Sequence, residues 1–321
     1  MESHNNQKKI AVINDLTGFG RCALTVAVPV ISVMGLACCP VPTAILSNHT
    51  AFPSSFIDDY TEKMEPYIEE WKKLGLVFDG IYSGFLGSKE QIAIVRRFFK
   101  NFSKEGTQII IDPVMGDNGK TYRTYTPEMC QEMKKLVVLG DIVTPNVTEA
   151  CILTDTPYKE HWTESGLYGL AVKLSALGPD SVIITGIELS DVSDGSHFVS
   201  GVPHSVSGSR LSVSDGQPCA GGEKTPGGYI GNYCFTRERG GQLIAVPCAG
   251  KSRCGTGDLF ASIIAADAVN GVPLEASVKK ASDFVAKSIR ASNDREIPLT
   301  DGVCFEYFLG ELGREAPCVT A

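Results

Sequence analysis

Along the chain, hydrophobic positions switch between short apolar runs and helical spacing, and each switch marks a new element. Lys9 to Ile13 is a short apolar run read as a strand that ends at Asn14-Asp15. A glycine-bearing loop, Leu16 to Arg21, leads into a helical pattern from about Cys22 to Met34. The succession then repeats. Ala37 to Pro42 reads as a strand, and Ser55 to Leu74 as one amphipathic helix with a charged, solvated face. Gly80 to Gly87 is a strand running into a glycine-rich turn, after which Ser88 caps a helix reaching about Phe102. Thr107 to Ile111, Ile142-Val143 and Ser181 to Gly186 read as further strands, separated by helices at about Pro127 to Val138 and Ser165 to Leu177. Strand and helix alternate throughout, so the expected class is α/β with a central, mostly parallel sheet.

The last third departs from that rhythm. Between Ser190 and Gly228 the chain is dense in Ser, Gly, Asp and Pro, the composition of a flexible surface excursion. Tyr229 to Thr236 and Gly241 to Pro247 then alternate as two antiparallel strands. An apolar helix opens after Gly255-Thr256-Gly257-Asp258, and a long helix follows from Leu274 to Asn293. With no internal repeat and no clean boundary, residues 1–321 are expected to form one domain carrying the 190–228 excursion as an insertion.

Four polar clusters fall at predicted carboxyl ends of strands or at helix openings, which in a doubly wound sheet share one edge where ligands gather. The first is Asp15, readable as a ligand contact or a helix cap. The second is Asp112 with Asp117, two carboxylates across a tight turn that suit a metal–phosphate cluster or simply cap the turn. The third is Asn146 with Glu149, whose spacing suits either water-mediated Mg²⁺ binding or a capping box. The fourth is Gly255 to Asp258. Its glycines let the backbone approach an anion at a helix N-terminus, and Asp258 places a proton acceptor beside it, although Asp258 could also merely cap the helix. An anion hole next to a carboxylate base suits phosphoryl transfer to a hydroxyl. His49, after Asn48, is a candidate binding residue rather than a base.

Composition narrows the field. The 321 residues carry a formal net charge of −8, which argues against a general role on nucleic acid or anionic membrane. The polar segment before Ile10 has no signal-peptide apolar core and no apolar run is long enough to span a membrane, so a cytoplasmic location is expected. The 11 cysteines are scattered, as small buried hydrophobes in a reducing compartment would be. A dinucleotide-dependent dehydrogenase would need a Gly-x-Gly-x-x-Gly turn after the first strand, where Gly18-Phe19-Gly20 instead continues as Arg21-Cys22-Ala23.

The sequence resembles the ribokinase-like superfamily and, within it, the pyridoxal (vitamin B6) kinases. The resemblance rests on Ser47-Asn48-His49-Thr50, Ser83 to Ser88, Asp112-Pro113-Val114-Met115-Gly116-Asp117, Thr144-Pro145-Asn146 with Glu149, Ile230 to Tyr233, and Gly255-Thr256-Gly257-Asp258. It implies a three-layer α/β/α fold and ATP-dependent phosphorylation of the 5′-hydroxymethyl group of a pyridine ring. Under it, Asp258 takes the hydroxyl proton, and the amides of Gly255, Thr256 and Gly257 hold the phosphoryl oxygens. Asp112, Asp117, Asn146 and Glu149 organise Mg²⁺ and phosphates, with Asp112, Asp117 and Glu149 nearest the metal. Thr185 and Gly186 line the nucleotide site, and Asp15, Thr43, Thr50 and Phe85 face the vitamin ring. The resemblance also implies a homodimer and leaves room for a monovalent cation. Asp15 stands where better-known members often have Ser, and Phe85 where Tyr is common, so an altered preference among pyridoxal, pyridoxine and pyridoxamine is expected. A hydroxymethylpyrimidine kinase is the nearest alternative, and a non-catalytic B6-binding protein is another.

Overall fold

The computed structural model describes residues 7–190, 212–213 and 228–313. Most of the 190–228 excursion therefore lies outside the described residues.

Ile10 to Ile13 are fully buried on both sides of the strand they form, which is why that run is continuously apolar rather than alternating. The strand, β1 (Lys9–Thr17), lies inside a ten-stranded sheet. It pairs in parallel with β2 (Ala37–Leu46) and with β4 (Phe78–Ser83). From β4 the parallel ladder continues through β5 (Ser103–Ile111) and β8 (Ile142–Val143) to β9 (Ser181–Ser190). Beyond β9 the sheet turns antiparallel with β11 (Gly228–Thr236) and β12 (Gly240–Pro247), and β10 (Ser212–Val213) ends that side. The edge beside β2 is closed by the short antiparallel β3 (Ile57–Asp59). A separate small hairpin, β6 (Gly116–Asp117) and β7 (Lys120–Thr121), follows β5.

Alternate residues of the central strands feed two cores. Ile13, Ile81, Ile111 and Val182 pack with one cluster, under α2 (Thr61–Lys73), α3 (Lys89–Phe102), α4 (Pro127–Val137), α5 (Val147–Leu153) and α6 (Glu164–Leu177). Val12, Tyr82, Ile110 and Ile183 pack with the other, under α1 (Leu24–Val33), α7 (Thr256–Asn270) and α8 (Leu274–Asp294). The result is the expected α/β/α layering. Helix α7 is apolar nearly all round because it is wedged between α1, α8 and the sheet, and a β-carbon at Gly80 would meet Val269 of that helix.

Two local expectations are corrected. Ser55 to Leu74 is not one helix, because Ile57–Asp59 pairs with β2 and the Asp59 carboxylate then accepts from the Thr61 amide and hydroxyl as the helix begins. Edge pairing overrides a helical pattern there. Strands β1 and β2 also outrun their predicted ends, since a bulge between Asn14 and Leu16 lets the ladder continue. Asp15 therefore sits on a strand and caps no helix; the residue before α1 is Ala23, with no side-chain cap.

Candidate active site

The parallel ladder does not stop where the strands do. Gly84 N donates to Ile13 O, Asp112 N to Ser83 O, Thr144 N to Ile111 O and Thr185 N to Pro145 O, at 2.9, 2.9, 3.1 and 2.9 Å. These bonds set Asn14-Asp15, Gly84-Phe85, Asp112, Thr144 and Thr185 in one row along the carboxyl edge.

The start of α7 faces this row. Gly255, in the left-handed conformation at φ 78°, precedes the helix, and a β-carbon there would run into the carbonyl oxygen of Arg21. Thr256 Oγ1 donates to Arg253 O at 3.0 Å, while Gly257 is exposed. The buried guanidinium of Arg253 donates to the carbonyls of Ile297 and Pro298 at 2.8 and 3.0 Å and to Asn293 Oδ1 at 2.9 Å, which pins the segment entering the loop. Arg21 and Ala23 hold positive φ values of 47° and 53°. That strained turn aims the Ala23 amide at the Asp258 carboxylate. The Cys22 thiol, buried and hydrogen-bonded to Cys254, is pushed far above the ordinary thiol range, so it is held as an inert packing group.

Asp258 is half-buried and accepts a second hydrogen bond, from Asn14 Nδ2 at 3.1 Å. Burial, reinforced by the charge of Asp15, raises its pKa to about 6. Asp112, 9% exposed, is raised to about 7 by burial and then by the charge of Asp258. Glu149 is pushed well above the carboxylate range by burial and then by Asp112.

Asn146 and Glu149 form the capping box that their spacing allows: Asn146 Oδ1 accepts from Glu149 N at 3.0 Å and Glu149 Oε2 from Asn146 N at 2.9 Å. The same side chains clasp the Asp112-to-Asp117 turn. Glu149 Oε1 accepts from Met115 N, and Asn146 Nδ2 donates to Gly116 O. Asp117, exposed on the small hairpin, accepts from the amide and side chain of Asn118. Thr185 pairs with Asn146 through an isolated parallel bridge, and Gly186, at φ 71°, donates its amide to Asn232 Oδ1 at 3.2 Å.

On the other flank, Thr17 Oγ1 donates to Asp15 Oδ2 at 2.6 Å, and burial raises the Asp15 pKa. Thr43 Oγ1 donates to Phe85 O at 3.1 Å, so it supports the Phe85 backbone. Thr50 is exposed on the loop after His49 and makes no hydrogen bond to Asp15, Thr43 or Phe85. His49 is spent within the fold: one ring nitrogen lies 2.6 Å from Thr300 O and the other accepts from Ala51 N.

Residues 30–215 match the family described as phosphomethylpyrimidine kinase. A Bacteroides thetaiotaomicron protein, provisionally designated a phosphomethylpyrimidine kinase, superposes with a TM-score of 0.82 at 35% identity, over 97% of this chain and 96% of that one. The chain belongs to the phosphomethylpyrimidine kinase family. A second crystal form of the Bacteroides protein, containing pyridoxal, superposes on this chain at 0.80 with 36% identity over 96% of both chains. Among curated relatives, the chloroplastic thiamine biosynthetic bifunctional enzyme TH1 of Arabidopsis thaliana is 24% identical over 88% of this chain and 46% of its own length. The pyridoxal kinase of Ovis aries is 30% identical over 50% of this chain and 52% of its own. The chain thus spans about half the length of the curated relatives it matches.

The oxygen donors gathered at this edge suit Mg²⁺. Burial and, after it, the negative charge of Asp258, Asp112 and Asp15 raise the pKa values of Asp112, Glu149 and Asp258 in turn, and their oxygens are hard donors. Among the described residues no three His, Cys, Asp or Glu side chains stand close enough to cage a metal. A divalent ion here would lean on phosphate and water, which is how Mg²⁺ is commonly held. Two further residues, Asn14 and Ala23, touch Asp258; the sequence marks them only as the end of a strand and as part of a helix. The one local signal was an amide side chain at the carboxyl end of a buried strand.

Proposed function

We propose that the protein transfers the γ-phosphoryl group of ATP to the 5′-hydroxymethyl group of a B6 vitamer: pyridoxal, pyridoxine or pyridoxamine. The observation that carries this reading is Asp258, a carboxylate fixed by Asn14 and Ala23 in the first turn of α7, beside the glycine amides. With a pKa near 6 it is ionised at neutral pH, yet a stronger base than an ordinary aspartate. It accepts the hydroxyl proton as the oxygen attacks. The amides of Gly255, Thr256 and Gly257, together with the helix dipole, hold the transferring oxygens. Asp112, Asp117, Asn146 and Glu149, with Thr185 and Gly186, form the nucleotide side. There Asp112 and Glu149 would hold Mg²⁺ through oxygen or water, and Asp117 flanks them from the hairpin. The ion, when bound, neutralises phosphate charge. Asp15, Thr43, Thr50 and Phe85 form the acceptor side, with Asp15 facing a ring nitrogen or the 3-hydroxyl.

Pyridoxal in the Bacteroides crystal supports the B6 reading. The family match and the thiamine enzyme of Arabidopsis favour a second reading, hydroxymethylpyrimidine as acceptor, with the same chemistry. Leu16, Phe19, Ile45, Phe56 and Ile57 are exposed on or next to β1 to β3 and offer an apolar surface suited to the homodimer that we also propose.

The test is ATP consumption by purified protein with Mg²⁺ and each of the three vitamers and hydroxymethylpyrimidine, alongside Asp258→Ala. Turnover on a vitamer that falls about 10²- to 10⁴-fold in the variant supports the proposal. Turnover on the pyrimidine alone moves the acceptor class and keeps the mechanism. Binding of a vitamer without turnover replaces the enzyme by a binding protein.

A further inference from the structure

Asn14 is 1% exposed, and each part of its side-chain amide has a partner. Nδ2 donates to Asp258 Oδ1 at 3.1 Å. Oδ1 accepts from Asp15 N at 3.0 Å and from Phe85 N at 2.9 Å. The three partners come from β1, from the loop after β4 and from α7, so one side chain ties the sheet edge to the start of the helix that carries Asp258. Room for this amide is made by Gly84, where any β-carbon would overlap the Asn14 side chain. An amide suits the position because it accepts at one end and donates at the other. Aspartate would lose the donor and leucine would lose both functions.

Resting on the kinase reading above, we propose that Asn14 is the positioning residue of the site: it locks the proton acceptor Asp258 to Asp15 and Phe85, so that base and acceptor hydroxyl arrive in one fixed geometry. The nucleotide side is held separately, by Asn146, Glu149 and Asn232. Removing Asn14 should therefore cost turnover far more than nucleotide binding. Misplacement of a reacting group by about 1 Å can cost on the order of 10²-fold in rate.

The experiment is a double-mutant cycle on the full chain with the best acceptor found. Asn14→Ala should lower kcat by about 10- to 100-fold while KM for ATP stays within about twofold. In an Asp258→Asn background the same change should cost less than about threefold, because the group it positions is already gone. An equal loss in both backgrounds, or a rise in KM for ATP matching the fall in kcat, overturns the proposal and makes Asn14 a general support. Should Asn14→Ala not fold, Asn14→Asp keeps the acceptor for the Asp15 and Phe85 amides and reverses only the contact with Asp258. At pH 8 it should bind ADP as wild type does and turn over at least about tenfold more slowly; wild-type turnover overturns the proposal. Asp258→Asn with undiminished turnover would instead sink the base assignment, an outcome separate from either result for Asn14.

Discussion

The carbonyl oxygen of Arg21 fills the space that a side chain on Gly255 would need, whereas Gly257, two residues on, has nothing within 4 Å of its missing β-carbon. The two glycines of one motif are therefore required for different reasons. Gly255→Ala must push apart the β1–α1 turn and the start of α7 and also adopt a positive φ. It should lower thermal stability markedly and abolish turnover. Gly257→Ala should melt with the wild type, and its added methyl group should obstruct only what binds in front of the helix. A rise of about tenfold or more in KM for ATP, with an unchanged Tm, is the expected result. Thermal melts and steady-state kinetics on the two variants check it.

The raised pKa of Asp258 sets the acid limb of the rate profile. Protonation removes the proton acceptor, so kcat/KM should fall as pH drops through about 6 and approach tenfold per unit below it. An unperturbed aspartate would place that limb near pH 4. A profile at constant ionic strength and saturating Mg²⁺ measures it.

Asp112 should trade stability for function. Its pKa of about 7 in the fold lies above its value in the unfolded chain, so its ionisation above that pH costs stability. Asp112→Asn removes the cost. The variant should melt a few degrees higher than wild type at pH 8, and the gain should shrink as pH falls below about 7 and vanish in the ordinary carboxylate range. Turnover should fall by about tenfold or more, because the nucleotide side loses a charge. Melting temperatures at pH 8 and pH 4.5 give the sign.

Asp15, held by Thr17 and raised by burial, should discriminate among acceptors. Asp15→Ser should change the kcat/KM ratios among pyridoxal, pyridoxine and pyridoxamine by about threefold or more. Unchanged ratios would remove Asp15 from the ring-facing group.

Much of this was legible in the residues themselves. Continuous apolar runs such as Ile109 to Ile111 announced buried parallel strands, and Gly-Thr-Gly-Asp before an apolar run announced a glycine turn opening a helix, to which the structure adds the left-handed conformation of Gly255. Asn146 and Glu149 were legible as a pair, and the structure realises their capping box together with a clasp on the Asp112 turn. The bulge that carries β1 past Asn14 was not legible, because it depends on a neighbouring strand and not on local propensity. Nor was the role of Asn14. Besides the adjacent Asp15 amide, its partners lie 71 and 244 residues away, and no spacing rule reaches that far. His49 shows the opposite case, a chemically suggestive residue whose two ring nitrogens are spent on the Ala51 amide of its own loop and the Thr300 carbonyl.

The strand order divides labour along the edge. On the proposed assignment, ring-facing residues lie on or just after β1, β2 and β4 on one flank, phosphate-facing residues on or just after β5, β8 and β9 on the other, and α7 sets Asp258 between them. One flank can drift without moving the other, so a change of heterocycle needs new side chains at Asp15 or Phe85 and leaves the machinery of transfer untouched. A scaffold arranged this way is exchangeable at one end and conservative at the other, and pyridine and pyrimidine kinases are then neighbours separated by a few substitutions on a single flank.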